Sequence, residues 1–553
     1  MSSMFQPRKH QAALPTGQLI LAEKPGEEAV PMDVVFVGAG PAGLCGAIEL
    51  KRLVKAGQER GEGIGDVEVA VLEKAAALGE HSLSGAVVNP RALRELFPEL
   101  RDGDFPLRRK VEKEAVFLLT VSGQIPLPTP PTMRNHGNYV ASICEIVRWL
   151  GEKAEALGVN LFTGFPADSL LVDGGRVVGV RTTPSGLDKG GLKGGSYGAP
   201  TDVSARVVAL SEGTRGALTQ AWLEWSSIGS SNPQIYALGV KELWETKTAL
   251  DTVIHTMGWP LPRDAFGGSF LYPLEDNLVA IGLVVGLDYH DAGLDVHHLL
   301  QVMKKHPLFH SRLRDGEMIE WGAKTIPEGG YYSLPSRRSG DGLVILGDSA
   351  GYVDVPSLKG IHYAMQSGIY AARAIYRALK GNDTSAQGLS DYDRLVDDSY
   401  IAQDLRRTRN MRLAFKKGFF AGGLQSALMT ATNGRFPGSR IAVEEDSAQM
   451  KSFHSSAPRE PYDGKLTFSK VDAVFKSGNA TRDTIPVHLK VADPVDAEVA
   501  RFYSHLCPAG VYEWQDGALR INAPNCVDCK ATDVLGPRWT PREGGSGPRY
   551  RGM

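Results

Sequence analysis

An α/β fold, interrupted by a β-rich insertion and followed by a cysteine-bearing C-terminal domain, is what this sequence predicts. Three observations carry the expectation. The apolar stretch Asp33–Val37 runs directly into Gly38-Ala39-Gly40-Pro41-Ala42-Gly43 and then into a helical pattern. Far down the chain a second apolar strand, Gly342–Leu346, runs into a second glycine turn, Gly347-Asp348-Ser349-Ala350-Gly351. Three of the five cysteines, Cys507, Cys526 and Cys529, crowd near the C-terminus.

Residues 1–31 read as a polar arm. Leu44, Ala47, Ile48 and Val54 then share one face of a helix, and Val67–Leu72 is a second buried-strand pattern that ends at Glu73. Strand, helix, strand is a βαβ beginning. Ile143–Leu157 has amphipathic helical spacing. Leu161–Val180 alternates like a hairpin about Asp173-Gly174-Gly175. Residues 185–200 are glycine-dense without periodicity, a loop or hairpin tip, and Val203–Leu210 is another strand. Residues 32–231 are thus the first part of one domain. Residues 232–335, with LGVKELWE, GGSFLYPL and LVAIGLVVGLDY, are an inserted sheet-rich domain. Residues 336–464 complete the first domain, with a charged helix over Asp391–Arg412, a short apolar segment and a linker near 435–465. Residues 465–553 are the C-terminal domain.

The chain has 553 residues, with 61 Lys+Arg against 63 Asp+Glu. That balance gives no electrostatic case for nucleic acid. No window approaches the ~20 apolar residues of a membrane-spanning helix, so only peripheral membrane contact is open. Five cysteines in so long a chain make no disulfide framework. Cys45 and Cys144 fall in apolar helical patterns and read as core.

Gly38, Gly40 and Gly43 fit a dinucleotide-binding turn. The first glycine allows the tight turn, the second lets backbone approach a pyrophosphate, and the third lets helix and strand pack closely. Glu73, at the end of the next strand, suits the ribose hydroxyls. NAD and FAD share this pattern. The second turn, with Gly347, Asp348 and Gly351, favours FAD, whose ribityl and pyrophosphate need a second contact. Glu212–Gly216 fits a third contact region. The C-terminal cysteines imply either an iron–sulfur cluster or a structural zinc held by His505, Cys507, Cys526 and Cys529.

Several stretches together resemble the electron transfer flavoprotein–ubiquinone oxidoreductase family. They are VGAGPAGL, LEKAAALGEHSLSGAVVNP, LGVKELWE, HTMGWPL, GGSFLYPL, LVVGLDYHD, PSLKGIHYAMQSG, CPAGVYEW, INAPNCVDCK and TPREGGSGP, in order from about 33 to 550. The resemblance implies a glutathione-reductase- or hydroxylase-like FAD domain, an inserted α+β quinone domain and a ferredoxin-like iron–sulfur domain. It implies a quinone site at Gly267 and Gly268, ubiquinone or menaquinone as acceptor, and electron transfer flavoprotein as partner. It implies electron wiring with no general acid or base. It places cluster ligands at Cys507, Cys526 and Cys529. The fourth ligand position falls on Thr532, with Asp533 beside it, so the cluster is expected as [4Fe–4S] or [3Fe–4S]. Gly418–Ala431 and Gly79–Pro98 match segments that dip into a membrane surface, with the basic stretch Arg406–Arg412 nearby. The implied location is the cytoplasmic face of a bacterial inner membrane, or the mitochondrial inner membrane. The alternative reading is an FAD-dependent reductase of isoprenoid double bonds, or a monooxygenase, with a zinc-bearing C-terminal domain.

Overall fold

The computed structural model describes residues 4–275, 277–454 and 459–553. Its central sheet runs in the order Asn160–Thr163, Val69–Glu73, Val34–Val37, Val207–Leu210 and Leu343–Ile345, with Ser339–Gly340 at the edge. The first five strands are parallel and only the edge strand is antiparallel. Val34–Val37 lies in the middle and is buried throughout, which explains its unbroken apolar run. Both glycine turns leave this sheet at the carboxyl ends of their strands, the edge where open α/β sheets bind ligands. Pro41–Glu59 and Ile361–Lys380 are the helices that follow those turns, and they pack on each other.

The second sheet has seven strands, in the order Glu317–Pro327, Tyr236–Glu245, Leu278–Gly286, Gly267–Pro273, Thr252–Gly258, Lys113–Leu119 and Gln124–Leu127. The expected insertion, 232–335, therefore supplies only part of it. Lys113–Leu119 comes from the first domain and pairs in parallel with Thr252–Gly258. Beneath the sheet, Lys304 and Glu242 form a fully buried ion pair at 2.9 Å. Trp244 Nε1 and Gln301 Nε2 also donate to that carboxylate, so the charge is satisfied on all sides.

Other expectations are corrected. The N-terminal arm is part of the fold: Ile20–Leu21 joins Leu170–Leu171, and Met4–Phe5 pairs with Lys451–Ser452. Phe5, Leu19 and Ile20 are buried, and that burial holds these short strands. The hairpin turns at Gly174-Gly175 as expected, but Leu161 belongs to the central sheet. Of the two alternatives for residues 185–200, loop or hairpin tip, the hairpin holds: Ser185–Leu187 pairs with Lys193–Gly198. Asp391–Arg412 breaks into the helices Asp391–Asp397, Tyr400–Thr408 and Met411–Ala414. Ser399 starts the second of these, its hydroxyl accepting from the amide of Ile401. The stretch read as a linker is pinned down: buried Asp446 accepts from the amide of Tyr236, and buried Lys451 donates to the carbonyl of Leu287.

The C-terminal domain is built on the helix Ala497–Leu506 and the hairpin Tyr512–Gln515/Ala518–Ile521. The last residues return to the first domain. The carbonyl of Met553 accepts from the amide of Ile143 and the hydroxyl of Ser142.

Candidate cofactor cavity and cysteine site

One cavity of about 1720 Å³ runs from the first glycine turn to the inner face of the second sheet. Gly38 has φ +106, and a Cβ there would lie 2.5 Å from the carbonyl oxygen of Ser211. A Cβ on Gly43 would lie 2.2 Å from the carbonyl oxygen of Gly38. A Cβ on Gly40 would meet nothing within 4 Å. The first and third glycines are therefore demanded by the chain itself, and the second is not. Gly40 also begins the helix Pro41–Glu59, whose first amides have no side-chain cap. Uncapped amides at a helix start fit a diphosphate.

Glu73 lines the cavity, its two carboxylate oxygens accepting from the amides of Ala39 (3.0 Å) and Ala75 (2.8 Å). It thus holds the glycine turn in shape. Gly347, at φ +57, donates its amide to the Ser367 hydroxyl. Asp348 lines the cavity, and burial pushes its carboxyl up to about 6. Gly351 does not line the cavity; its amide closes the turn onto the carbonyl of Asp348. Four of the five residues in Glu212–Gly216 line the wall, but Arg215 turns outward to Asp533 at 2.7 Å.

Gly267 and Gly268 line the far end. A Cβ on Gly267 would sit 2.1 Å from the carbonyl oxygen of Val284, and one on Gly268 2.5 Å from that of Thr256. Neighbouring strands alone thus exclude side chains here. Close by, His255 Nε2 and the Tyr272 hydroxyl meet at 2.7 Å, and burial depresses the imidazole to about 3. Sequence reasoning missed this pair. It also missed the buried cations in the wall: Lys241 and Lys324, each pushed down to about 8 by burial, and Lys530, pushed down to about 7. Lys241 stood out in the apolar run LGVKELWE and was the available signal.

At the mouth stands the helix Phe419–Ala431, where Phe420 is 84% exposed and Leu424 67%. Val121 and Leu358 are exposed apolar residues on the same rim. The other expected surface segment, Gly79–Pro98, is instead interior. Val87, Val88, Ala92, Leu93, Leu96 and Phe97 are buried because its strand and helix pack into the core. The basic stretch is partly interior too, since Arg412 is buried between Asp288 and Glu328. No helix among the described residues is long and apolar enough to cross a membrane.

Cys507 ends the helix Ala497–Leu506, and Cys526 and Cys529 follow the turn Ala523–Asn525. All three are buried, and the Cys526 and Cys529 thiols each feel Cys507. Burial pushes the Cys526 thiol up to about 12, the cost that a bound metal removes by taking the thiolate. The four groups expected for zinc are not gathered: neither the three sulfurs nor any set with His505 falls within 4.8 Å of one another. Zinc at ~2.3 Å from each sulfur requires closer packing, whereas a multi-iron cluster spreads its thiolates. The set that does fall within 4.8 Å is His488, Cys526 and Asp528. Asp528 is already engaged there by Lys74 (2.5 Å), Arg542 (2.9 Å) and Trp539 Nε1 (2.9 Å). Asp533, an expected fourth ligand, has one oxygen on Arg215 and Gln220 and the other on the amide of Trp539.

The cysteine site and the cavity share a wall. Lys530, Trp539 and Pro541 of the C-terminal domain line the cavity. The carbonyl of Cys529 accepts from the amide of Thr325, itself a lining residue.

Residues 236–326 match the family model "ETF-QO, ubiquinone-binding", and residues 464–551 match "Electron transfer flavoprotein-ubiquinone oxidoreductase, 4Fe-4S". The mitochondrial electron transfer flavoprotein-ubiquinone oxidoreductase of Oryza sativa subsp. japonica is 38% identical, covering 96% of this chain and 94% of that protein. The Homo sapiens protein of the same name is 36% identical, covering 96% and 90%. Among solved structures, a geranylgeranyl bacteriochlorophyll reductase-like protein from Thermoplasma acidophilum superposes with a TM-score of 0.57 at 19% identity, over 73% of this chain and 92% of that one. A flavin-dependent brominase superposes at 0.51 and 16% identity, over 73% and 95%. Those two likenesses concern the fold alone. With near-full-length identity to curated relatives and two family models matched, the chain belongs to the electron transfer flavoprotein–ubiquinone oxidoreductase family.

Proposed function

We propose that the chain takes electrons from reduced electron transfer flavoprotein and passes them, through an iron–sulfur cluster and FAD, to a quinone at a membrane surface. The observation that carries this reading is the shared wall. A single cavity joins the dinucleotide turn to the ubiquinone-matching sheet, and the cysteine site lies directly behind it. FAD exchanges electrons singly or in pairs and the cluster singly, which is the chemistry these groups supply when bound.

The protein's own residues bind and orient. Gly38, Gly40 and Gly43 make the diphosphate cradle, Glu73 holds the turn and faces the ribose, and Asp348 lines the cavity at the second glycine turn. The buried lysines supply positive charge to an anionic ligand. At the far end Gly267 and Gly268 leave backbone bare, and a neutral His255 that donates from Nε2 to the Tyr272 oxygen leaves the Tyr272 hydroxyl proton to be offered to a ligand. Cys507, Cys526 and Cys529 hold the cluster. The apolar rim of Phe420, Leu424, Val121 and Leu358 supports peripheral contact with lipid, where a long-tailed quinone resides. The test is reduction of a quinone analogue in lipid vesicles by reduced electron transfer flavoprotein. Turnover is expected, and its absence with both ubiquinone and menaquinone analogues refutes the reading.

A further inference from the structure

Three corners of the cysteine site carry a thiol and the fourth does not. The chain has five cysteines. Cys45 and Cys144 are fully buried in Pro41–Glu59 and Ile143–Glu155, and Cys144 bonds to the carbonyls of Ser82 and Met553. Neither can reach the C-terminal site. A [4Fe–4S] cluster takes four thiolates, and the C-terminal domain matches a 4Fe-4S family model.

Oxygen stands where the fourth thiolate is missing. The Tyr512 hydroxyl is buried, lies beside the hydroxyl of Thr532 and is within electrostatic range of Cys507, Cys526 and Cys529. It lacks a hydrogen bond of proper geometry, the Thr532 hydroxyl included. A buried hydroxyl left this way among three thiols calls for a partner that the chain does not contain. Thr532 lies in the first turn of the helix Ala531–Leu535 after Cys529 and is itself buried. Asp533 is held away by Arg215, Gln220 and Trp539.

We propose that Cys507, Cys526 and Cys529 hold three irons firmly, while the fourth iron sits against the Tyr512–Thr532 hydroxyls, is bound through oxygen, and exchanges. The inference rests on the reading that these cysteines hold an iron–sulfur cluster. Iron bound to oxygen in place of thiolate is held less tightly in a sulfide-rich site. Loss of one Fe²⁺ from the [4Fe–4S]²⁺ form breaks its bond to the Tyr512 or Thr532 oxygen, which stays on the protein, needs no electron and leaves [3Fe–4S]⁰. Added ferricyanide then takes one electron, giving [3Fe–4S]⁺ and ferrocyanide. Returning Fe²⁺ with one electron from dithionite reverses the sequence.

The test uses anaerobically reconstituted holoprotein treated with one equivalent of ferricyanide in the presence of a ferrous chelator. Native protein should release one iron per cluster and show the [3Fe–4S]⁺ electron paramagnetic resonance signal. Thr532→Cys should keep its irons, with the signal cut roughly tenfold or more, since thiolate is the stronger ligand. Thr532→Ser keeps an oxygen at the corner and should release iron as the native protein does. Native protein that holds all four irons as firmly as Thr532→Cys overturns the proposal, as does a Thr532→Cys that releases iron as readily as native. In both of those cases iron is present and quinone reduction continues, so the relay reading stands. Stoichiometric zinc without iron removes the relay reading itself.

Discussion

Replacing Gly40 with valine should empty the cavity of flavin while the fold stands. The backbone at Gly40 is extended, with φ −78 and ψ −179, a conformation valine adopts freely. A Cβ there meets no protein atom within 4 Å. At a helix N-cap, exchanging glycine for an apolar residue costs the apoprotein at most ~1 kcal/mol. The cost to flavin is larger. A branched side chain stands between the diphosphate and the uncapped amides that follow it. Each charge-assisted hydrogen bond so lost is worth about 1.5–3 kcal/mol, and losing two weakens binding by about 3–6 kcal/mol. At ~1.4 kcal/mol per decade that is roughly 10²- to 10⁴-fold in affinity. Flavin-to-protein ratio after desalting, FAD titration and the thermal midpoint of the apoprotein measure both sides. A variant that retains flavin at the native ratio refutes the assignment of this turn. The control is Gly43→Ala, whose Cβ would lie 2.2 Å from the carbonyl oxygen of Gly38 and 2.7 Å from Ser211 Oγ. It should destabilise the fold itself, by about 1–3 kcal/mol or more, as overpacking does.

Asp348 gives a pH signature. Its carboxyl is raised by burial from 3.8 to about 6. Its contribution to apoprotein stability is therefore fully present below pH ~3.9 and lost as pH rises through about 6. The loss is on the order of 3 kcal/mol at 1.36 kcal/mol per pKa step. Asp348→Asn should flatten that slope between pH 4 and 7 in denaturant titrations, and an unchanged slope would place the titration elsewhere. Tyr272→Phe removes the hydroxyl from the His255 pair but keeps the ring. It should lower quinone reduction by roughly 10- to 100-fold, within the range of one lost hydrogen bond to a reacting group. Partner-driven flavin reduction should be unchanged, and equal loss of both half-reactions would assign Tyr272 to structure. Phe420→Ser with Leu424→Ser should move the protein from lipid vesicles to the soluble fraction, since each apolar side chain is worth roughly 1.5–3 kcal/mol. Unaltered co-sedimentation would refute the lipid-facing role of this helix.

What could be read in the sequence was what is local. The strand, glycine turn and helix from Asp33 to Val54 are consecutive, so their chemistry shows in a short window. Lys113–Leu119 shows the opposite case. It joins the second sheet by pairing with Thr252–Gly258, far along the chain, and no local periodicity records a parallel partner. The two-residue strands of the N-terminal arm are too short to show alternation. The resemblance implied a quinone site at Gly267 and Gly268, but the sequence could not show that neighbouring carbonyls already forbid side chains there. Gly79–Pro98 was misread because a buried strand and helix carry the same apolar residues as a surface segment would.

The charges between the two redox sites explain why they face each other across a fixed wall. Asp528 and Asp533 lie in and beside the cysteine loop, each with its side chain 1% exposed. Their partners Lys74 and Arg215 belong to the flavin domain. Lys74 follows Glu73, and Arg215 lies in the third contact turn. Breaking a buried ion pair by removing one partner costs about 3–5 kcal/mol, and lifting the C-terminal domain away would break Lys74–Asp528 and Arg215–Asp533, leaving Asp528 with Arg542 of its own domain. Trp539, held through Nε1 by Asp528 and faced by Lys74 and Lys530, fills the space between. Electron transfer asks for short, constant separation rather than for mobile acid–base groups. A domain tied down by paired buried charges on both sides of the cysteine loop meets that demand, because the residues that fix the cluster loop are the neighbours of those that shape the flavin cradle.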